Sequence, residues 1–133
     1  MGLSFHIDFD GRCEEAFAFY ARHLGGRIGT LLRIDDAPMP APPGLLGRHV
    51  LHANIRFDGV ELAGGDVAPA RYRRPQGFCV LLGLESEERV RASFEALREG
   101  GEVVLAPRPT FWSPCYAIVV DRFGVPWKLN CGS

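Results

Sequence analysis

The chain reads as the same run of elements twice, and a duplication constrains architecture before any single motif does. In the first copy, residues 5–9 alternate apolar and polar like a half-buried strand, and Asp10-Gly11 turns the chain. Residues 13–24 then carry Ala16, Phe17, Phe19, Tyr20 and Leu24 at helical spacing. Gly25-Gly26 ends that helix, because glycine takes the left-handed conformation of a C-cap without a Cβ clash. In the second copy, residues 78–84 make a more fully apolar strand and Ser86 stands as an N-cap. Residues 87–99 place Val90, Phe94 and Leu97 on one stripe, and Gly100-Gly101 closes the helix. Each double glycine leads into a β-prone run, 27–34 and 102–105. Each half then ends in a hairpin: 49–57 and 60–63 around Asp58-Gly59, and 116–120 and 125–129 around Arg122-Phe123-Gly124.

The fold class expected is therefore α+β, with one βαβββ module over about 1–66 and a second over about 77–133. A four-stranded sheet with a helix on one side leaves its other face bare. The modules must then associate, side by side within a chain or by exchange in a homodimer. The first half differs by an insert, 35–47, whose Pro38, Pro40, Pro42 and Pro43 cannot join a sheet and mark a surface loop or lid. Between the halves, 67–77 is short and rich in bulky residues, a connector more than a flexible linker.

At 133 residues the chain fits a single domain, and 47% hydrophobic against 23% charged residues is the balance of a globular protein. A net charge of -1 gives no positive field to hold a phosphate backbone, so nucleic acid is not expected as a partner. No apolar run is long enough to cross a bilayer, and the opening residues lack the charged-then-apolar order of a signal peptide. A cytoplasmic protein without membrane partners is expected. Cys13, Cys79, Cys115 and Cys131 form no C-x-x-C pair and read as free thiols, with Cys79 and Cys131 in apolar strand-like runs that oppose ionisation.

The order Phe9-Asp10-Gly11-Arg12-Cys13-Glu14-Glu15-Ala16, Phe19-Tyr20, Leu24-Gly25-Gly26, His52-Ala53, Gly65-Asp66, Gly100-Gly101, Trp112 and Asp121-Arg122-Phe123-Gly124-Val125-Pro126-Trp127 runs through nearly the whole chain. In it the sequence resembles the PhnB-like branch of the glyoxalase/bleomycin-resistance/extradiol-dioxygenase (vicinal oxygen chelate) superfamily. The resemblance implies paired βαβββ modules whose eight strands form an open, barrel-like sheet around a cavity, helices outside, commonly in a homodimer. It also implies either metal-dependent isomerase, lyase or dioxygenase chemistry or simple sequestration of a small molecule, so fold does not decide function. The methyltransferase label attached to this branch finds no support, since no glycine-rich turn follows a first strand of a doubly wound sheet.

Catalytic members hold a divalent cation through a His or Gln and a Glu from each module. The matching first-strand position is His6, or Phe5 if the register shifts by one; the end of the first module offers Ala63 or Gly64. The second module offers Cys79, Val80 or Leu81, and the last glutamate is replaced by Lys128. An ammonium has no lone pair to give, so no catalytic metal and no other cofactor is expected. His49 and His52 do not substitute if both lie on one strand, where they face opposite ways.

Alternation along the strands sorts His6 and Asp8, then His52, Asn54 and Arg56, then Lys128 and Asn130 onto the face away from the helices. Phe111, Trp112 and Tyr116 add aromatic surface that could cover a small organic ligand, or pack into the core. Asp66 reads as a capping or turn residue, and the Arg71, Arg73 and Arg74 run as solvated surface. The expected ligand set is His6, His52, Asn54, Arg56, Phe111, Trp112, Tyr116 and Lys128, in a homodimeric small-molecule-binding protein. The alternative is a lyase, isomerase or dioxygenase, including a metal-free proton-transfer enzyme using His6 or His52.

Overall fold

The computed structural model describes residues 1–132. The chain divides into two compact units, one over Met1–Arg73 and one from Arg74 onward. Each is a four-stranded sheet with one helix against it. The first contains β1 (Phe5–Phe9), α1 (Cys13–Leu24), β2 (Arg27–Arg33), β3 (Val50–Phe57) and β4 (Val60–Asp66), with sheet order β1-β4-β3-β2. The second contains β5 (Val80–Leu84), α2 (Glu87–Arg98), β6 (Glu102–Arg108), β7 (Tyr116–Val120) and β8 (Pro126–Cys131), in the order β5-β8-β7-β6. In both, the first strand pairs in parallel with the last and all other pairings are antiparallel. The duplication in the sequence is thus a duplication of βαβββ modules.

In the first unit, α1 buries Ala16, Phe17, Tyr20 and Leu24 completely or nearly so. They meet the face of the sheet that carries Ile7, Phe9, Ala53, Ile55 and Leu62, where Phe9 and Phe17 pack edge to face with centroids 5.8 Å apart. Burying each large apolar side chain contributes about 1.5–3 kcal/mol. A Cβ on Gly64 would stand 2.9 Å from the Phe17 ring, so the glycine makes room for this contact. Gly25 caps the helix with φ 81°, as expected. Asp58 is the one non-glycine residue with positive φ among the described residues, at 56°, and forms with Gly59 the tight β3–β4 hairpin. Asp66, 8% exposed, accepts hydrogen bonds from the Cys13 and Val50 backbone N–H groups at 2.9 and 2.8 Å. It therefore caps α1 and pins the start of β3.

In the second unit, Ser86 accepts from the Arg89 N–H at 3.1 Å, the expected N-cap. Val90, Phe94 and Leu97 of α2 are buried with Ala117, Val119, Trp127 and Leu129 of the sheet. The turn into β8 is organised by Asp121, whose carboxylate accepts from the Phe123 and Val125 N–H groups and from Trp127 Nε1, each at 2.9 Å.

Several boundaries differ from expectation, among them the strand expected over 60–63, which runs on to Asp66. The strand expected over 78–84 begins at Val80, and the run expected over 102–105 continues to Arg108 through Pro107. Proline fits there because β6 is the edge of its sheet and the register is irregular between Leu105 and Arg108. The insert 35–47 contains no strand; a 3-10 turn, Ile34–Asp36, precedes its proline-rich part.

Candidate functional site

With the helices on one side, the opposite face of each sheet is open, and strand register decides which side chains share it. In the first unit the register sets His6 beside Ala63 and Ala63 beside Asn54, and sets Arg56 beside Glu61. His6 Nε2 lies 3.2 Å from Asp8 Oδ1, both about half exposed, so a carboxylate orients the imidazole. Arg56 pairs with Glu61 at 3.2 Å. His52 is exposed and stands beside Leu32 of β2. Asn54 is partly committed: its Oδ1 accepts the Thr30 N–H at 2.9 Å across the irregularity in β2. A Cβ on Gly29 would come within 2.5 Å of that oxygen, which explains the glycine.

The open face of the second unit has a different chemistry. One row runs Leu81, Lys128, Ile118, Leu105 and the next Gly83, Asn130, Tyr116, Arg108. Lys128 is half-buried and has no acidic partner among the described residues. Tyr116 begins an aromatic stack in which its ring meets Trp112 at 5.2 Å and Trp112 meets Phe111 at 4.8 Å, both edge to face. Trp112 is 55% exposed and Phe111 97%, so these rings are presented and not packed into the core. Ser113 was not foreseen as part of this arrangement. It is buried, donates to the Cys115 carbonyl and accepts the Cys115 N–H, while the Thr110 N–H donates to the Ser113 carbonyl at 2.8 Å. The loop is thereby held rigid behind its aromatic tip.

Residues 6–129 match the model of the Glyoxalase/Bleomycin resistance protein/Dioxygenase superfamily. The chain belongs to this superfamily. Protein YjdN of Escherichia coli is 30% identical over 98% of this chain and 95% of its own length. The crystal structure of PA1353 from Pseudomonas aeruginosa matches with a TM-score of 0.90 and 34% identity, over 99% of this chain and 98% of that one. The PhnB protein of Bacillus cereus shares the fold at a TM-score of 0.83 and 22% identity, covering 99% of this chain and 100% of the other.

Membership makes the superfamily's metal positions a question of chemistry in this chain. Among the candidate positions, His6 pairs with Ala63 and Leu81 pairs with Lys128, each the second pair of its parallel ladder. Of those four, only His6 carries a donor atom available to a cation. The described residues contain no group of three or more His, Cys, Asp or Glu placed to hold a metal. The superfamily's metal does not fit this donor set.

The four thiols are free. Burial falls on Cys13 and Cys115, not on Cys79 and Cys131 as the apolar runs implied, because Cys79 precedes β5. Burial, reinforced by Asp66 and Glu14, pushes the Cys13 thiol far above its ordinary range, and burial likewise raises Cys115. Neither is an activated nucleophile. His49, expected on the same strand as His52, lies before β3, where its Nδ1 accepts the Leu46 N–H at 2.8 Å. No helix among the described residues is long and apolar enough to cross a membrane.

Proposed function

We propose that this superfamily member binds a small organic molecule on its open sheet faces without a catalytic metal, as a homodimer. The observation that carries the reading is Lys128, half-buried and without an acidic partner among the described residues, at a position where the resemblance places a carboxylate in metal-binding relatives. An ammonium without an acidic partner favours an anionic or oxygen-rich ligand group. The presented rings of Phe111, Trp112 and Tyr116 favour a flat apolar portion. On the first unit's own open face, His6, His52, Asn54 and Arg56 offer polar groups to a ligand, Asn54 through its remaining amide nitrogen.

Metal analysis of protein purified without chelator, combined with a thermal-shift titration, tests the metal-free part. The expected result is substoichiometric metal and little stabilisation. Stoichiometric Ni, Zn, Mn or Fe with a large rise in Tm overturns it. Aromatic carboxylates titrated against intrinsic fluorescence report binding at Trp112, and sedimentation analysis reports the dimer.

The His6–Asp8 pair favours a second reading, a metal-free proton-transfer enzyme with His6 as base. Turnover of a dicarbonyl-thiol adduct or an aromatic diol that disappears in His6→Ala supports it; no turnover across such a panel counts against it.

A further inference from the structure

At the N-terminal end of α1, away from the residues of the open face, the first unit contains a cleft of about 370 Å³. Arg12, Glu14, Glu15, Arg33, Arg48 and His49 line it, together with Asp66. The acids are matched. Arg12 holds Glu15 through two contacts at 3.0 and 2.8 Å, Arg33 pairs with Glu14, and Asp66 is satisfied by two backbone N–H groups.

Arg48 and His49 are not matched. The Leu46 N–H donates to His49 Nδ1 at 2.8 Å, while the His49 N–H donates back to the Leu46 carbonyl at 3.0 Å. A backbone N–H can only donate, so Nδ1 is bare and the neutral ring carries its proton on Nε2. Nε2 stands 3.4 Å from a terminal nitrogen of Arg48, a group with no acceptor capacity. Two donors therefore line the cleft side by side, and neither has an acceptor partner there among the described residues. Gly11 keeps the ring edge open: a Cβ there would lie 3.3 Å from Nε2, and its φ of +82° suits glycine.

We propose that this corner binds an oxyanion, a phosphate or carboxylate group that accepts from both Arg48 and His49 Nε2. The site is separate from the open face and stands or falls independently of it.

Titration of the protein with inorganic phosphate, and separately with acetate, followed by amide and side-chain NMR, tests the proposal. Saturable shifts at Gly11, Leu46, Arg48 and His49 with either anion are expected. Arg48 is exposed, so Arg48→Ala leaves the fold intact while weakening affinity about tenfold or more, the loss of one charge-assisted hydrogen bond. His49→Ala gives a second loss, and Arg48→Lys restores part of the first. Shifts reproduced by potassium chloride at matched ionic strength, no saturable shift with either anion, or unchanged affinity in Arg48→Ala each overturn the proposal.

Discussion

Removing the Asp121 carboxylate should be among the most damaging single changes in the second unit, and the size of the loss follows from its partners. Asp121 is 3% exposed and serves at least three donors, two in the turn and the indole of a Trp127 that is fully buried. Orphaning a buried donor costs about 1–3 kcal/mol, and relaxation of the turn towards water reduces the sum, so Asp121→Ala should cost roughly 3–5 kcal/mol. With total stabilities of about 5–15 kcal/mol, that removes a large share, and at about 3 °C per kcal/mol it lowers Tm by roughly 10–15 °C. Asp121→Asn keeps one oxygen for the two turn N–H groups but turns an NH2 towards the indole N–H, and should cost roughly 1–3 kcal/mol. Trp127→Phe deletes that indole donor, so the penalty of Asp121→Asn should shrink in its background by more than about 1 kcal/mol. Urea unfolding followed by circular dichroism measures all four proteins of the cycle. A cost below about 1 kcal/mol for Asp121→Ala, or strict additivity of the pair, refutes the hydrogen-bond account.

Three further outcomes are expected from the thiols and glycines, and one from the aromatic loop. A disulfide-exchange reagent should label Cys79 and Cys131 quickly in the native protein and Cys13 and Cys115 only on unfolding, which timed absorbance with and without denaturant will show. Because both buried thiols are raised above the ordinary value of 9.0, the unfolded chain loses those protons first. Stability should therefore fall as pH climbs above 9.0, by up to about 1.4 kcal/mol per unit for each thiol, and fall less steeply in a Cys13→Ala/Cys115→Ala variant. Gly101→Ala should destabilise by about 1–3 kcal/mol in chemical denaturation, since its Cβ would lie 2.2 Å from the Val120 carbonyl oxygen, whereas Gly59→Ala, with open space around it, should stay within about 0.5 kcal/mol. Trp112→Ala should cost at most about 1.5 kcal/mol of stability but abolish fluorescence-detected binding of aromatic ligands, separating presentation from packing.

The duplication was legible because its punctuation is chemical: the double glycines and Asp58-Gly59 demand conformations that few other residues adopt, and the structure puts Gly25, Gly100 and Asp58 at positive φ. The assignment of His6, Asp8, His52 and Arg56 to one face was equally legible, since alternation has a fixed period. Three features were not. The continuation of β6 through Pro107 depends on its being an edge strand, a property of sheet order. The use of Asn54 Oδ1 by the Thr30 N–H depends on an irregularity in the neighbouring strand. The ring of His49 is turned by a local bond to Leu46, which alternation does not encode.

Comparing the two modules at matched positions shows how a repeated fold acquires two chemistries. The row His6, Ala63, Asn54 in one sheet corresponds to Leu81, Lys128, Ile118 in the other, both read from the second pair of the parallel ladder. Where one module places an imidazole and an amide, the other places two aliphatic side chains around a cation. Neither set of side chains enters the core, because each lies on the face away from its helix, while Phe9 and Phe17 in one unit, and Phe94 and Trp127 in the other, are buried between helix and sheet. A divalent cation needs lone pairs, which His6 and Asn54 carry and Leu81, the Lys128 ammonium and Ile118 do not. The first unit's face presents hydrogen-bonding groups, and the second adds Tyr116 and Trp112 to its Lys128. The two units therefore present different groups at matched positions, lone pairs on one and an ammonium on the other.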